Sequence, residues 1–212
     1  MKTIALIGGS GMIGQRILKE ALSRGHKVVA IVRDPSRISE KNPNLEVKIG
    51  DVLKPESMAL ALRGTDAVVN SHGPGKGDPK EVITAAHALI EGIGSIKPAP
   101  RLIVVGGAAS LEIAPGQQLL DTPDFPAAWK GVASAHRDAL GIYRKSPIDW
   151  TYLSPAAFIQ PGTRTGKYRT GTEQLVRDAK GESRISAEDY AVAIVDEVEK
   201  PQFSRKRFTV AY

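Results

Sequence analysis

The sequence predicts an α/β fold in which a doubly wound parallel sheet carries helices on both faces, within a single domain over residues 1–212. Two observations carry that expectation. Apolar strand-like runs alternate with helical patterns through the first half of the chain, which implies a mostly parallel sheet covered on both sides. The first of these runs also passes directly into a glycine-spaced turn and then a helix, the opening of a strand–helix–strand unit.

The elements follow in order. Lys2-Thr3-Ile4-Ala5-Leu6-Ile7 reads as the first strand. After the turn, Ile13, Ile17, Leu18, Ala21 and Leu22 form an apolar stripe at helical spacing, and Gly25 stands where a left-handed C-terminal cap belongs. Strands are expected next at Lys27 to Val32, Leu45 to Ile49, Ala67 to Asn70 and Leu102 to Val105. Pro55 suits a first helical position, and Asp78-Pro79-Lys80-Glu81 offers a cap, a first-turn proline and an acid. Val82, Ile83, Ala86, Leu89, Ile90 and Ile93 are then the buried side of that helix and carry no chemistry. Leu111 to Phe125, with Pro115, Gly116 and Pro123 but little periodicity, is expected to be a long loop over the carboxyl edge of the sheet. A helix from about Ala127 to Arg144 follows, then a sixth strand, Trp150 to Leu153, ended by Pro155. After a Gly-, Thr-, Arg- and Lys-rich stretch from Gln160 to Arg184, Ser186 caps a final helix and Arg207 to Val210 adds a last edge strand.

Composition narrows the function classes. Hydrophobic residues at 42% and charged residues at 25% are ordinary for a globular protein and exclude disorder. With no cysteine there is no disulfide, thiolate metal site or cysteine nucleophile. His26, His72, His87 and His136 lack ligand-like spacing, so no metal is expected. The first strand starts at residue 2, with no room for a cleavable leader, and no apolar run approaches membrane-spanning length; a cytoplasmic protein is expected. The net charge of +6 lies in many small groups, which describes a solvated surface better than a nucleic-acid face.

The spacing Gly8-x-x-Gly11-x-x-Gly14 gives the first chemical expectation, a dinucleotide. Gly8 permits a sharp turn off the strand, Gly11 lets a pyrophosphate approach the backbone, and Gly14 lets the helix pack closely on the sheet. The helix-start amides, with Ser10, Met12 and Ile13 in the same turn, then face the phosphates. The second strand ends Val32-Arg33-Asp34, so Arg33, with Arg37 nearby, occupies a position suited to a 2′-phosphate. NADP(H) is therefore favoured, with NAD(H) as the alternative if Asp34 instead meets the ribose. Asp51 and Val52 are candidates for contacting the adenine, and Ser71, His72 and Gly73 for the small-residue turn through which the cofactor passes. His72 reads as a polar neighbour of the cofactor rather than a catalytic base. The glycines from Gly73 to Gly77 lack the ending of a nucleoside triphosphatase loop.

Together Gly8-Gly9-Ser10-Gly11-Met12-Ile13-Gly14, Val32-Arg33-Asp34, Gly50-Asp51-Val52 and Val104-Val105-Gly106-Gly107-Ala108-Ala109-Ser110 resemble the atypical short-chain dehydrogenase/reductase superfamily over essentially the whole chain. More narrowly, Asp149-Trp150-Thr151-Tyr152-Leu153-Ser154-Pro155 followed by Pro161-Gly162-Thr163-Arg164-Thr165-Gly166-Lys167-Tyr168 resembles its NAD(P)H-binding NADH-flavin reductase group, related to biliverdin/flavin reductases and NmrA-like proteins. The resemblance implies a Rossmann-type domain with a nicotinamide cofactor and reduction of a flavin or another conjugated acceptor.

The superfamily's usual carbonyl chemistry depends on Tyr-x-x-x-Lys, which this chain lacks: Tyr143, Tyr152, Tyr168 and Tyr190 are followed four residues on by Pro147, Ala156, Thr172 and Ile194. Reduction of a simple ketone makes a basic alkoxide that needs an acid, whereas an isoalloxazine or quinone spreads the charge and can be protonated by solvent. The expected partner is thus a small planar acceptor, a flavin among the candidate substrates, and neither nucleic acid nor membrane. Ser110 is placed to bind a polar acceptor edge and His136 to orient or protonate it, with a merely satisfied histidine as the equal alternative. Gly107, Ser154 and Pro155 are placed beside the nicotinamide and Arg164 near an anionic substituent, ordinary loop roles standing beside both readings. Loops around residues 71–77, 106–126 and 154–184 would form the substrate region. The rival reading is a non-catalytic NmrA-like NADP(H) sensor acting through a protein partner. An RNA-binding protein gains support only from the charge.

Overall fold

The computed structural model describes residues 1–75 and 77–212. In chain order its first half contains β1 (Thr3–Ile7), α1 (Met12–Ser23), β2 (Lys27–Val32), β3 (Leu45–Ile49), α2 (Pro55–Ala61), β4 (Ala67–Asn70), α3 (Glu81–Gly94) and β5 (Arg101–Val105). Then come β6 (Glu112–Ala114), β7 (Gln117–Gln118), α4 (Ala127–Lys145), β8 (Trp150–Ser154), β9 (Phe158–Gln160), β10 (Arg169–Gly171), β11 (Arg184–Ser186), α5 (Ala187–Glu199) and β12 (Lys206–Ala211).

An eight-stranded sheet in the order β10-β12-β8-β5-β4-β1-β2-β3 forms the middle layer. All its pairings are parallel except β10 with β12. Parallel strands need crossovers, and the crossovers put helices on both faces, so the central strands must be apolar on both sides. Ala67-Val68-Val69-Asn70 is accordingly buried throughout. One face packs Val68, Val104, Trp150 and Tyr152 against Met58, Leu89 and Tyr143 from α2, α3 and α4. The other packs Leu6, Val69, Ile103 and Leu153 against Ile17 and Leu18 of α1 and Tyr190 and Ile194 of α5. Each such side chain taken from water contributes about 1.5–3 kcal/mol.

Local signals explain the element ends. Gly25 closes α1 at φ 78°, where a Cβ is disfavoured. The Ser186 hydroxyl accepts from Asp189 N at 3.0 Å and caps α5. Asp78 accepts from Lys80 N at 2.9 Å, so its side chain orders the turn before α3, which starts at Glu81.

Two expectations are corrected. Arg207 to Val210 lies in β12, which is no edge strand: β8 lies on one side and β10 on the other, because Arg169–Gly171 folds back antiparallel to close the sheet. Leu111 to Phe125 is more ordered than a long loop. Gly116, at φ 74°, turns β6 into β7, Leu120 N donates to Ala109 O at 2.7 Å, and Leu111 and Leu120 are buried. Glu112 N donates to Glu173 O and Leu175 N donates to Glu112 O, both at 2.8 Å, which ties this segment to residues 173–175. Among the described residues no helix is long and apolar enough to cross a membrane.

Candidate functional site

Strand order reverses between β1 and β4, and in open α/β sheets the crevice at the carboxyl ends beside such a reversal is where ligands bind. A cavity of about 590 Å³ lies there. Its walls are the turn after β1 (Gly8, Ser10, Gly11), the end of β2 (Arg33, Asp34, Arg37), residues 50–53 after β3 and residues 71–75 after β4. The glycines do the work their spacing predicts. Gly8 has φ +77°, and a Cβ there would stand 2.6 Å from Ser71 O. A Cβ on Gly14 would stand 2.1 Å from Gly8 O and 2.7 Å from Ser71 Oγ, while that hydroxyl donates to Ile7 O at 2.9 Å. Turn, helix and β4 thus interlock with no room for a methyl group. Gly11 is different, since its Cβ would meet only Gly8 O, at 3.4 Å.

The start of α1 carries no side-chain cap and no acid in its first turn. Gly11 N donates to Gly8 O and Gln15 N to Gly11 O, both at 3.0 Å. The Met12, Ile13 and Gly14 amides have no acceptor among the described residues. Free N–H groups at the positive end of a helix form an anion site, and a glycine N-cap leaves it open.

At the far wall Arg33 and Arg37 are exposed and form no ion pair among the described residues. Asp34 is turned to its own chain: its Oδ1 accepts from Ser36 N at 3.0 Å and Ser36 Oγ at 2.7 Å. Those bonds hold its carboxyl below the usual range. Asp51 accepts from Leu53 N at 3.1 Å through one oxygen and shares the cavity wall with Val52. His72 is partly buried, and its Nε2 has no hydrogen-bond partner; Glu81 stands 3.6 Å away, too far for a bond. Burial lowers the His72 pKa against the pull of Glu81. Uncapped amides, free guanidinium groups and an orphaned imidazole nitrogen around one cavity fit an elongated phosphorylated cofactor with polar edges. Lys76, within the expected loop 71–77, lies outside the described residues.

His136 projects from α4 onto Gly107, where a Cβ would stand 3.0 Å from His136 Cβ. Its Nδ1 is 3.2 Å from Tyr152 Oη, which donates to His136 O at 3.0 Å and accepts from Gly107 N at 3.2 Å. The hydroxyl has a single hydrogen, given to the carbonyl, so Nδ1 is the donor to it and Nε2 is left as a bare acceptor. Burial, with some help from His72, pushes the His136 pKa down to about 4. At neutral pH the ring is therefore uncharged and orients a ligand better than it protonates one. Tyr152 is the group that sequence reasoning missed; its signal is Gly106, where any Cβ would stand 2.0 Å from the Tyr152 ring.

Other candidates sit elsewhere. Ser110 is buried, and its hydroxyl accepts from Arg207 at 2.8 Å, with Arg207 also paired to Glu173; that hydroxyl is turned inward, away from an acceptor. Arg164 is held by Glu20 through bonds of 2.7 and 2.8 Å, so its charge is already matched. Ser154 and Pro155 are buried beneath the carboxyl edge, outside the cavity wall, and Ser154 Oγ has no partner there. Gly50, Pro74 and Gly75, within the segments expected at the adenine and the cofactor turn, also line the wall, while Ile7, Ile31 and Leu53 join it without having been singled out, being apolar residues with no chemical signature in the sequence. Among the described residues no group of three or more His, Asp and Glu could hold a metal ion.

The fold and cleft define an NAD(P)H-binding, oxidoreductase-like α/β domain. The chain belongs to the NAD(P)H-binding family, whose model matches residues 8–201, and it fits the atypical short-chain dehydrogenase/reductase group. It is 43% identical to the uncharacterized protein YwnB of Bacillus subtilis strain 168 over 211 residues, 98% of this chain and 97% of that one. Among solved structures, a Burkholderia pseudomallei protein described as a candidate exported protein is 48% identical, with a TM-score of 0.91 and 100% of both chains covered. A candidate NADH-flavin reductase of Streptococcus pneumoniae is 33% identical, with a TM-score of 0.88 over 100% of this chain and 99% of that one.

Proposed function

We propose that this protein is a cytoplasmic NADPH-dependent reductase that delivers hydride to a flavin or another planar conjugated acceptor. The observation that carries the reading is the continuous cleft from the uncapped start of α1 to the unpaired Arg33 and Arg37. A diphosphate suits the first and a 2′-phosphate the second. Bound there, NADPH supplies the hydride. In this reading Gly8, Ser10, Gly11, Met12, Ile13 and Gly14 cradle the diphosphate, Asp51 and Val52 meet the adenine, and Ser71, His72 and Gly73 guide the chain of the cofactor toward Gly107. The substrate space is bounded by the loops around 71–77, 106–126 and 154–184, the last two joined through Glu112 and Leu175.

His136 orients the acceptor through Nε2, and solvent supplies the proton. That division follows from the absent Tyr-x-x-x-Lys pair and the depressed basicity of His136. It favours acceptors that delocalise negative charge, so that proximity and orientation supply most of the acceleration. In stopped-flow absorbance, NADPH with FMN, FAD, riboflavin, a quinone or biliverdin is expected to be oxidised well above the protein-free rate by at least one of them; oxidation of none above that rate sinks the reductase. A second reading, the NmrA-like sensor, is favoured by the engaged Ser110 hydroxyl and the neutral His136, which leave no strong acid in the site. Calorimetric NADP(H) binding without turnover, with a captured protein that changes with cofactor redox state, is its signature.

A further inference from the structure

Trp129 is 57% exposed although it stands on the face of α4 that is buried lower down. It lies seven residues before His136, roughly 20° round the helix and about 10 Å along it. On the same face Leu140 and Tyr143 are buried against the sheet, and Ala133 is buried under the 106–126 segment. Because α4 is the crossover between the parallel strands β5 and β8, it runs antiparallel to them and its first turns rise past the carboxyl edge of the sheet. Gly131 places this end of the helix against the segment that follows His72: a Cβ there would stand 3.4 Å from Pro79 Cγ. Ala109, Leu120 and Phe125 cover the neighbouring Ala133 but leave the indole bare. Helical side chains lean toward the N-terminus, so Trp129 stands about 10 Å beyond His136 along α4, past the carboxyl edge of the sheet, while His136 leans toward it. An exposed aromatic ring in line with an oriented imidazole presents a flat apolar face beside a hydrogen-bond acceptor.

We propose that Trp129 is the stacking platform for the acceptor, its electron-rich indole lying against an electron-poor ring system such as an isoalloxazine while His136 Nε2 accepts a hydrogen bond from that ring's polar edge. The assignment rests on the reductase reading and names its substrate class: tricyclic or bicyclic planar acceptors large enough to reach from His136 to Trp129. Offset stacking of this kind is sequence- and substituent-tolerant, so acceptors that share a plane but differ in their tails are bound alike.

Trp150 is 2% exposed, so acrylamide quenching of intrinsic fluorescence reports chiefly on Trp129. Adding riboflavin to the NADP⁺-loaded protein is expected to lower the Stern–Volmer slope at least about twofold. Trp129→Leu is expected to raise the riboflavin KM about tenfold and leave NADPH affinity within about twofold, with Trp129→Phe restoring most of the loss. The surface position of Trp129 makes both variants compatible with folding. Unchanged acrylamide access at saturating riboflavin, or an unchanged KM in Trp129→Leu, overturns the platform while leaving the reductase standing. Shielding of the indole in a protein that oxidises no NADPH keeps the platform and removes the reductase.

Discussion

Arg33 and Asp34 are adjacent at the end of β2, and their opposite charges bear on which nicotinamide dinucleotide is accepted. A carboxylate aimed at the ribose selects the free 2′-hydroxyl, whereas a guanidinium group selects the phosphate. Asp34 is occupied locally, with Ser36 N and Oγ both donating to the same carboxylate oxygen. Arg33 has no such engagement and stands on the cavity wall. A charge-assisted bond to phosphate contributes about 1.5–3 kcal/mol, which is about 10- to 150-fold in affinity. Arg33→Ala is therefore expected to weaken NADPH binding by at least about tenfold and NADH binding by less than about threefold in calorimetric titrations. Equal losses for the two nucleotides would exclude recognition of the 2′-phosphate by this residue.

The junction of β1 with α1 separates two roles that the same residue type plays within a few positions. Gly14 is a packing glycine: the Cβ of Gly14→Ala would collide with Gly8 O and Ser71 Oγ at 2.1 and 2.7 Å, and neither the backbone carbonyl nor β4 behind it can yield without opening the turn. Gly11 is a ligand-side glycine, with backbone angles of −78° and 170° that alanine adopts freely and a single neighbour at 3.4 Å. Overpacking costs about 1–3 kcal/mol or more, while alanine for glycine at an N-cap costs about 1 kcal/mol or less. In urea unfolding, Gly14→Ala is expected to lose about 3 kcal/mol and Gly11→Ala no more than about 1. In cofactor titration the order reverses for a folded protein: Gly11→Ala loses NADPH affinity tenfold or more, because the methyl group stands where the diphosphate approaches the free amides. A Gly11→Ala protein with wild-type affinity would show that the helix start is not the phosphate site.

At the scale of the whole molecule, the first five strands, their helices and the glycine-lined cleft were legible because each rests on local chemistry: apolar runs, helical stripes, caps and a spaced turn whose residues are neighbours in sequence. What escaped was set by distant partners. Ser110 reads as an exposed polar residue until Arg207 arrives from the far end of the chain, and Arg164 reads as free until Glu20 is brought to it from α1. Tyr152 looked idle because its role depends on Gly107 and His136, contributed by two other elements. The position of β12 failed for the same reason. Arg207 to Val210 looks like a terminating strand, yet Arg169, Thr170 and Gly171 pair with Ala211, Val210 and Thr209 and convert it to an interior one. Thr209, Val210 and Ala211 are fully buried, and on its other side β12 continues the parallel ladder with β8. An interior strand opens only with the core it belongs to, whereas an edge strand frays separately. Native-state hydrogen exchange is therefore expected to give the amides of Phe208 to Ala211 opening free energies within about 1 kcal/mol of those in β8, and lower values in the short β10. Exchange of the β12 amides several kcal/mol easier than β8 would mean that the sheet ends at β8 and that β10 and β12 move as a separate flap over the proposed substrate region.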